Sequence, residues 1–288
     1  MDIGFKGKVA LITGAGSGLG RRYALDIVRR GGHVVINDIR NPYDVLMEVD
    51  ELGGKGLASE ADITSLSQIT EMIDQTMERF GRIDILINNA GIGGDKSFGN
   101  LSAGDSANIT NVHLRGTIRV TRLTWPIMMR QAYGRVVVTT SASGLYGASG
   151  QAPYSAAKMG VVGLINSLAL EGQTYNIRAN AFAPVAYTEA TSSLYPPEAK
   201  DLMQPEQASA GMMFLCSERA PNGAILCAGG GAFTKAEVME SQGIFLPPDE
   251  VSPEAVANNW SKIADMTGAR THSTAGDQLG KFFAMAKR

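Results

Sequence analysis

Short apolar, β-branched runs alternate along this chain with longer stretches whose apolar residues recur every three or four positions. Val9–Thr13, His33–Asp38, Gly56–Glu60, Ile83–Asn88, Arg135–Ser141, Ile177–Ala183 and Ala224–Ala228 read as strands. Several are apolar on both faces, as parallel strands covered by helices on each side must be. Between them, Leu19–Arg30, Pro42–Leu52, Ser65–Phe80, Asp105–Gln131, Pro153–Tyr175 and Pro205–Cys216 read as helices. The βαβαβ alternation predicts an α/β fold, a doubly wound parallel sheet of seven strands with helices on both faces. Such a sheet binds ligands beyond the carboxyl ends of its strands.

Two stretches leave that rhythm. Pro184–Gln204 holds three prolines and few periodic apolar positions, so it reads as a long loop of the lid or binding kind. Residues 1–231 are expected to form the main domain, and residues 232–288 a helical C-terminal extension packed on it. The extension's helices are expected at Pro253–Met266 and Ala275–Ala286. Nearly sixty residues with few aromatic anchors would be marginal alone.

Composition removes several function classes. Hydrophobic content of 44% and charged content of 19% suit a globular protein with a sizeable core. A formal net charge of -2 supplies no basic excess for nucleic acid. No apolar run is long enough to cross a bilayer, and Met1–Lys8 lacks the apolar core of a secretory signal. Cys216 and Cys227 show no metal or disulfide spacing and are expected to be buried thiols. Ala286-Lys287-Arg288 is not an address of the Ser-Lys-Leu kind, and the expected location is cytoplasmic. No metal site is expected.

Thr13-Gly14-Ala15-Gly16-Ser17-Gly18-Leu19-Gly20 lies between a strand and a helix, the context in which a glycine-rich loop binds a pyrophosphate. Glycine lets the backbone approach the phosphates, and the helix N-terminus offers N–H groups and its positive dipole end. Without a ligand, the same loop is simply a glycine-rich turn. Asp38 ends the second strand, eighteen residues past Gly20. A carboxylate there accepts hydrogen bonds from ribose hydroxyls and repels a 2′-phosphate, which favours NAD over NADP. Arg40 is the counter-argument, because a guanidinium there would attract that phosphate. Asp62-Ile63, after the third strand, and Asn89-Ala90-Gly91, after the fourth, are expected beside the adenine and its ribose. Asp62 has a second reading as a cap for the backbone from Thr64 onward.

Tyr154 and Lys158 stand four apart near the start of a helix and so share a face. A free phenol, with a pKa of ~10, is a poor base at neutral pH. A neighbouring ammonium and the positive nicotinamide ring are expected to stabilise the phenolate and lower that value, letting Tyr154 take or return a hydroxyl proton. Ser141, thirteen residues upstream at a strand end, is placed to hold a substrate oxygen. An isolated Tyr-x-x-x-Lys is usually a solvated helix face; behind this loop and strand it points to hydride transfer between a nicotinamide cofactor and a carbinol or carbonyl.

In order, the glycine loop, Asn88-Asn89-Ala90-Gly91, Ser141, Tyr154-x-x-x-Lys158 and Gly229-Gly230 resemble the short-chain dehydrogenase/reductase family over residues 6–231. Within it, Val112-His113-Leu114-Arg115-Gly116, Ser141–Gly147, Gly150–Lys158 and Val251–Trp260 are most similar to the (3R)-hydroxyacyl-CoA dehydrogenase units of peroxisomal multifunctional enzymes of type 2. That group is also called 17β-hydroxysteroid dehydrogenases. The resemblance implies a seven-stranded Rossmann sheet and a homodimer or homotetramer built on the long helices. It also implies that Lys158 binds the nicotinamide ribose, with Tyr154 in the cofactor site as well. Many members carry a catalytic Asn where this chain has His113, so His113 enters with two readings, proton relay or structural core. The family's usual Pro-Gly after the sixth strand is here Pro184-Val185.

The expected partner is therefore a small molecule: a secondary alcohol such as a 3-hydroxyacyl-CoA thioester or a hydroxysteroid-like compound. The alternatives are an NADPH-dependent reductase of 3-oxoacyl carrier-protein thioesters or ketones and, more remotely, a non-catalytic NAD-binding sensor or scaffold. Pocket walls are expected from residues 93–98, 145–151 and 187–203, with Tyr146, Tyr187, Leu194, Tyr195 and Met203 making them largely apolar.

Overall fold

The computed structural model describes residues 2–192 and 195–287. Leu194 therefore lies outside the described residues. By internal contacts the chain divides into two units, Met1–Lys235 and Ala236–Arg288.

The first unit is built on a sheet in which seven strands run parallel: β1 (Val9–Thr13), β2 (His33–Asn37), β3 (Gly56–Ser59), β4 (Ile85–Asn88), β5 (Gly134–Thr139), β6 (Ile177–Val185) and β7 (Ile225–Gly229). An eighth strand, β8 (Ala232–Ala236), lies beside β7, giving the order β3-β2-β1-β4-β5-β6-β7-β8. This corrects the expected count of seven. Only Gly230 and Gly231, both at positive φ, join β8 to β7. So short a link can return a strand only antiparallel. β8 escaped the hydrophobic pattern because its residues are almost all exposed.

The core of this unit is legible in the strands. All five residues of β1 and all four of β4 are buried, and their apolar side chains meet helices on both faces. Helix α1 (Gly18–Arg29) turns Tyr23, Ala24, Ile27 and Val28 inward, while α3 (Leu66–Phe80) buries Ile69, Met72 and Ile73. Fully burying each such large side chain contributes roughly 1.5–3 kcal/mol. The chain order reverses between β1 and β4, whose carboxyl ends open a crevice at the switch point.

The expected helix Asp105–Gln131 is three segments: α4 (Ala103–Thr110), a π-helical turn over Asn111–Gly116, and α5 (Thr117–Gln131). A capping box between Ser102 and Asp105 starts α4. Another short helix, α6 (Ala142–Tyr146), follows β5, and α7 (Ala152–Glu171) begins with Pro153 in its first turn. The stretch expected as loop over 184–204 is partly ordered. β6 runs on to Val185, and α8 (Ala199–Leu202) precedes α9 (Pro205–Cys216). Cys216 is buried, but Cys227 is only half-buried, against expectation.

In the second unit, the helix expected over Pro253–Met266 breaks at Asn259 into α10 (Pro253–Asn258) and α11 (Trp260–Ile263). Helix α12 (Ala275–Ala286) starts with a capping box between Thr274 and Asp277. Glu240 ties this unit together. Its backbone bridges Arg270, and its carboxylate accepts from Lys281 at 2.7 Å.

Candidate active site

The glycine loop leaves the end of β1 in a path only glycine can follow. Gly14 and Gly18 have positive φ. A Cβ on Gly20 would stand 2.0 Å from the Gly14 carbonyl oxygen, and one on Gly14 would stand 2.6 Å from Ala90 Cα. Ser17 precedes α1 in extended conformation without capping it through its side chain. The first turn of α1, with Gly18, Leu19 and Gly20, therefore presents N–H groups that the helix itself does not satisfy.

Asp38 sits one residue beyond β2 and is half-buried. One carboxylate oxygen accepts the Gly16 N–H at 3.0 Å and the other accepts the Arg40 N–H at 2.9 Å. Each oxygen keeps a lone pair for a further donor. A crevice beside it is lined by Gly14, Asp38, Asp62, Ile63, Ala90 and Gly91, together with Asn37, Ile39, Ala61, Ile92 and Val112. Asp62 also accepts the Thr64 N–H at 2.7 Å, so its capping reading holds alongside its place in the crevice. The glycine cradle, the uncapped helix start and the acceptor capacity left on Asp38 fit an adenine dinucleotide.

Asn89, expected beside the adenosine, also has a structural part. Its side-chain NH2 donates to the carbonyls of Thr13 and Gly14 at 3.2 and 3.0 Å. The Thr13 hydroxyl in turn accepts the N–H groups of Asn89 and Ala90. Asn89 thus braces β4 against the glycine loop. Thr13 and Asn37 were missed by sequence reasoning; a polar residue closing each of two otherwise apolar strands was the available signal. Asn37 spans to β3, donating to the Ser59 and Ala61 carbonyls.

Ser141, Tyr154, Lys158 and His113 converge past the ends of β4 and β5. Ser141 caps α6, accepting the Ser143 N–H at 3.2 Å, and its hydroxyl lies near enough to the Tyr154 phenol to oppose the rise in its pKa. Lys158, 4% exposed, donates to the Thr139 carbonyl at 2.6 Å. Its ammonium lies 5.6 Å from the Tyr154 ring centroid. Burial pulls the Lys158 pKa down to about 8.

The surroundings of the phenol act on it in both directions. Burial is the largest influence on Tyr154 and raises its pKa, with Asp95 and Tyr195 adding to the rise and Ser141 opposing it. Loss of water around the phenol favours its neutral form.

His113 lies on the π-helical turn and is 3% exposed. Its ring meets Tyr154 edge-on at 4.9 Å between centroids, and Nε2 lies 2.9 Å from the Ile92 carbonyl oxygen. Burial, reinforced by Lys158 and opposed by the Ile92 bond, pulls its pKa down to about 4. Asn111 sits on the same turn, with Oδ1 facing Arg119 at 3.5 Å.

Around this centre, the Gln151 amide donates to Asp95 at 2.7 Å, tying the loop after β4 to the start of α7. Of the expected pocket walls, Tyr187, Tyr195 and Met203 are half-buried, whereas Tyr146 is 76% exposed. Thr188, not singled out in the sequence, packs near Gly18. Among the described residues, no group of three acidic, Cys or His residues could hold a metal ion, and no helix is long and apolar enough to cross a membrane.

The family model for short chain dehydrogenase matches residues 8–198. The chain is 39% identical over 287 residues to a peroxisomal hydratase-dehydrogenase-epimerase of Neurospora crassa, covering 98% of this chain and 32% of that protein. It superposes on the full-length peroxisomal multifunctional enzyme type 2 of Drosophila melanogaster with a TM-score of 0.85 and 32% identity, covering 99% of this chain and 50% of that one. A 7α-hydroxysteroid dehydrogenase complexed with NADH and 7-oxo glycochenodeoxycholic acid matches with a TM-score of 0.75 and 30% identity, covering 80% of this chain and 96% of that one. The chain thus spans between a third and a half of the length of the two multi-activity relatives.

Proposed function

This chain belongs to the short-chain dehydrogenase family, and on that premise we propose that it transfers hydride between NAD and a secondary alcohol or its ketone, with Ser141, Tyr154 and Lys158 doing the chemistry. The observation that carries the reading is the convergence of Ser141, Tyr154 and Lys158, with the Lys158 ammonium 5.6 Å from the Tyr154 ring centroid, at the same sheet end as the Asp38 crevice.

When bound, the nicotinamide supplies the hydride acceptor or donor. The loop residues Gly14, Ser17, Gly18, Leu19 and Gly20 would hold its pyrophosphate. Asp38 would hold the adenosine ribose, with Asp62, Ile63, Asn89, Ala90 and Gly91 along the adenine and its ribose. The Ser141 hydroxyl holds the substrate oxygen, and the Tyr154 phenol exchanges a proton with that oxygen. Lys158 fixes the position of the tyrosine from below and favours its phenolate once charge develops there.

NAD is preferred because the Asp38 carboxylate, held by the Gly16 and Arg40 amides, occupies the place a 2′-phosphate would need. The substrate proposed is a 3-hydroxyacyl-CoA thioester or a hydroxysteroid-like alcohol, the latter in keeping with the 7α-hydroxysteroid dehydrogenase on which the chain superposes. A cytoplasmic homodimer or homotetramer is proposed as the working form, although the multi-activity relatives bear peroxisomal names.

The test is NADH formation by the purified protein with (3R)- and (3S)-hydroxyacyl-CoA, hydroxysteroids and simple secondary alcohols, each with NAD and NADP. Turnover of a thioester or steroid with NAD is expected. A clear preference for NADPH would move the reading to a ketone or 3-oxoacyl reductase, and no turnover of any alcohol or ketone would overturn it.

A further inference from the structure

We infer that His113 is a neutral positioning residue that works through Nε2, pinning the Ile92 backbone and the Tyr154 ring to each other, and that it does not pass protons. The inference rests on the proposed Tyr154 chemistry and deepens it. Nε2 of His113 is near both polar groups of Ile92, 2.9 Å from its carbonyl oxygen and 3.2 Å from its amide nitrogen. A neutral imidazole can answer only one of them with that nitrogen. Nδ1 is buried and meets no partner. If Nδ1 carried the proton, the ring would bury an unpaired N–H donor. With the proton on Nε2, it donates to the Ile92 carbonyl. The sealed Nδ1 is then left a bare acceptor and the amide of Ile92, a half-buried residue, loses this partner, a more tolerable defect than a sealed N–H.

The surroundings hold the ring in that pose. A Cβ on Gly91 would come within 2.6 Å of His113 Cε1, so the turn before Ile92 closes directly over the imidazole. The Tyr154 ring meets it edge-on with an interplanar angle of 88°. Lys158 is the charged group acting on it, and burial together with that ammonium disfavours imidazolium. A relay needs a group that gains and loses a proton near the working pH. This imidazole is set against both changes: Nε2 is committed to the backbone and Nδ1 is sealed.

The two amide side chains separate the alternatives, because Asn places its nitrogen near the position of Nδ1 and Gln near that of Nε2. Histidine 15N chemical shifts read the tautomer directly, and the chain has only three histidines to assign. The expected spectrum shows His113 protonated on Nε2 alone from pH 5 to 8. A proton on Nδ1, or titration within that range, would overturn the inference. This readout stands even if no alcohol in the panel is turned over.

With an active substrate, H113N is expected to lose about 100-fold in kcat/KM, and H113Q to stay within about tenfold of the wild type. The shape of the pH profile should be common to all three proteins. Better retention by H113N than by H113Q would identify Nδ1 as the working nitrogen. Equal loss in both, or none in either, would also contradict a role through Nε2.

Discussion

Lys158 donates to the Thr139 carbonyl at 2.6 Å from a position where only 4% of the lysine is exposed. The ammonium is thereby oriented by one backbone oxygen and stripped of most of its water. Its pKa falls to about 8 from 10.5, so between those values the unfolded chain binds more protons than the folded one. Stability attributable to this residue therefore rises with pH across that window and carries a constant deficit below it. The deficit is on the order of 1–3 kcal/mol. Urea midpoints of the wild type and K158M, followed from pH 7 to 10.5, should converge or cross as pH rises by that amount. A constant difference would mean that Lys158 is not a buried cation.

His113 shows the complementary dependence. Its pKa is depressed from 6.5 to about 4, so the unfolded chain takes up a proton first as the solution is acidified. Stability is full above pH 6.5 and falls as pH drops toward 4, by roughly 2–3 kcal/mol. H113Q should lack that part of the acid sensitivity, as read from thermal midpoints between pH 4 and 7.

Asp38 holds the glycine loop through Gly16 and faces the crevice with what remains of its hydrogen-bonding capacity. D38A is expected to raise KM for NAD about 10–100-fold, the worth of a hydrogen bond to a charged group. The ratio of NADP to NAD activity should rise at the same time. Unchanged cofactor kinetics would remove Asp38 from the ribose site.

Gly20 allows no side chain, since its Cβ would stand 2.0 Å from the Gly14 carbonyl oxygen. The contact is backbone on backbone, so nothing flexible can yield. G20A should cost about 1–3 kcal/mol of stability and abolish measurable NADH binding by fluorescence. Preserved binding would show that the loop can rearrange.

Much of this was legible in the chain because the burial is so one-sided. Val9–Thr13 is a strand with every residue buried, and its apolar run marks both of its ends. Tyr154 and Lys158 were placed together by helix spacing alone, and Asp38 by its position after an apolar strand. Other features leave no periodic trace. The π-helical turn over Asn111–Gly116 interrupts an apolar pattern that still looks continuous, and β8 consists of solvent-facing residues. The burial acting on Tyr154 was not legible, because a sequence shows the lysine four residues away but not the water excluded from the phenol. The motif placed Asn89 at the cofactor end, and only the structure records that its amide also braces Thr13 and Gly14.

The most direct measurement is turnover by Y154F beside the wild type, with NADH binding measured on both. Loss of roughly three or more orders of magnitude in kcat, with NADH affinity within a few-fold, is the predicted result. Turnover retained within about tenfold would contradict the assignment of Tyr154 as the group that exchanges the substrate's proton.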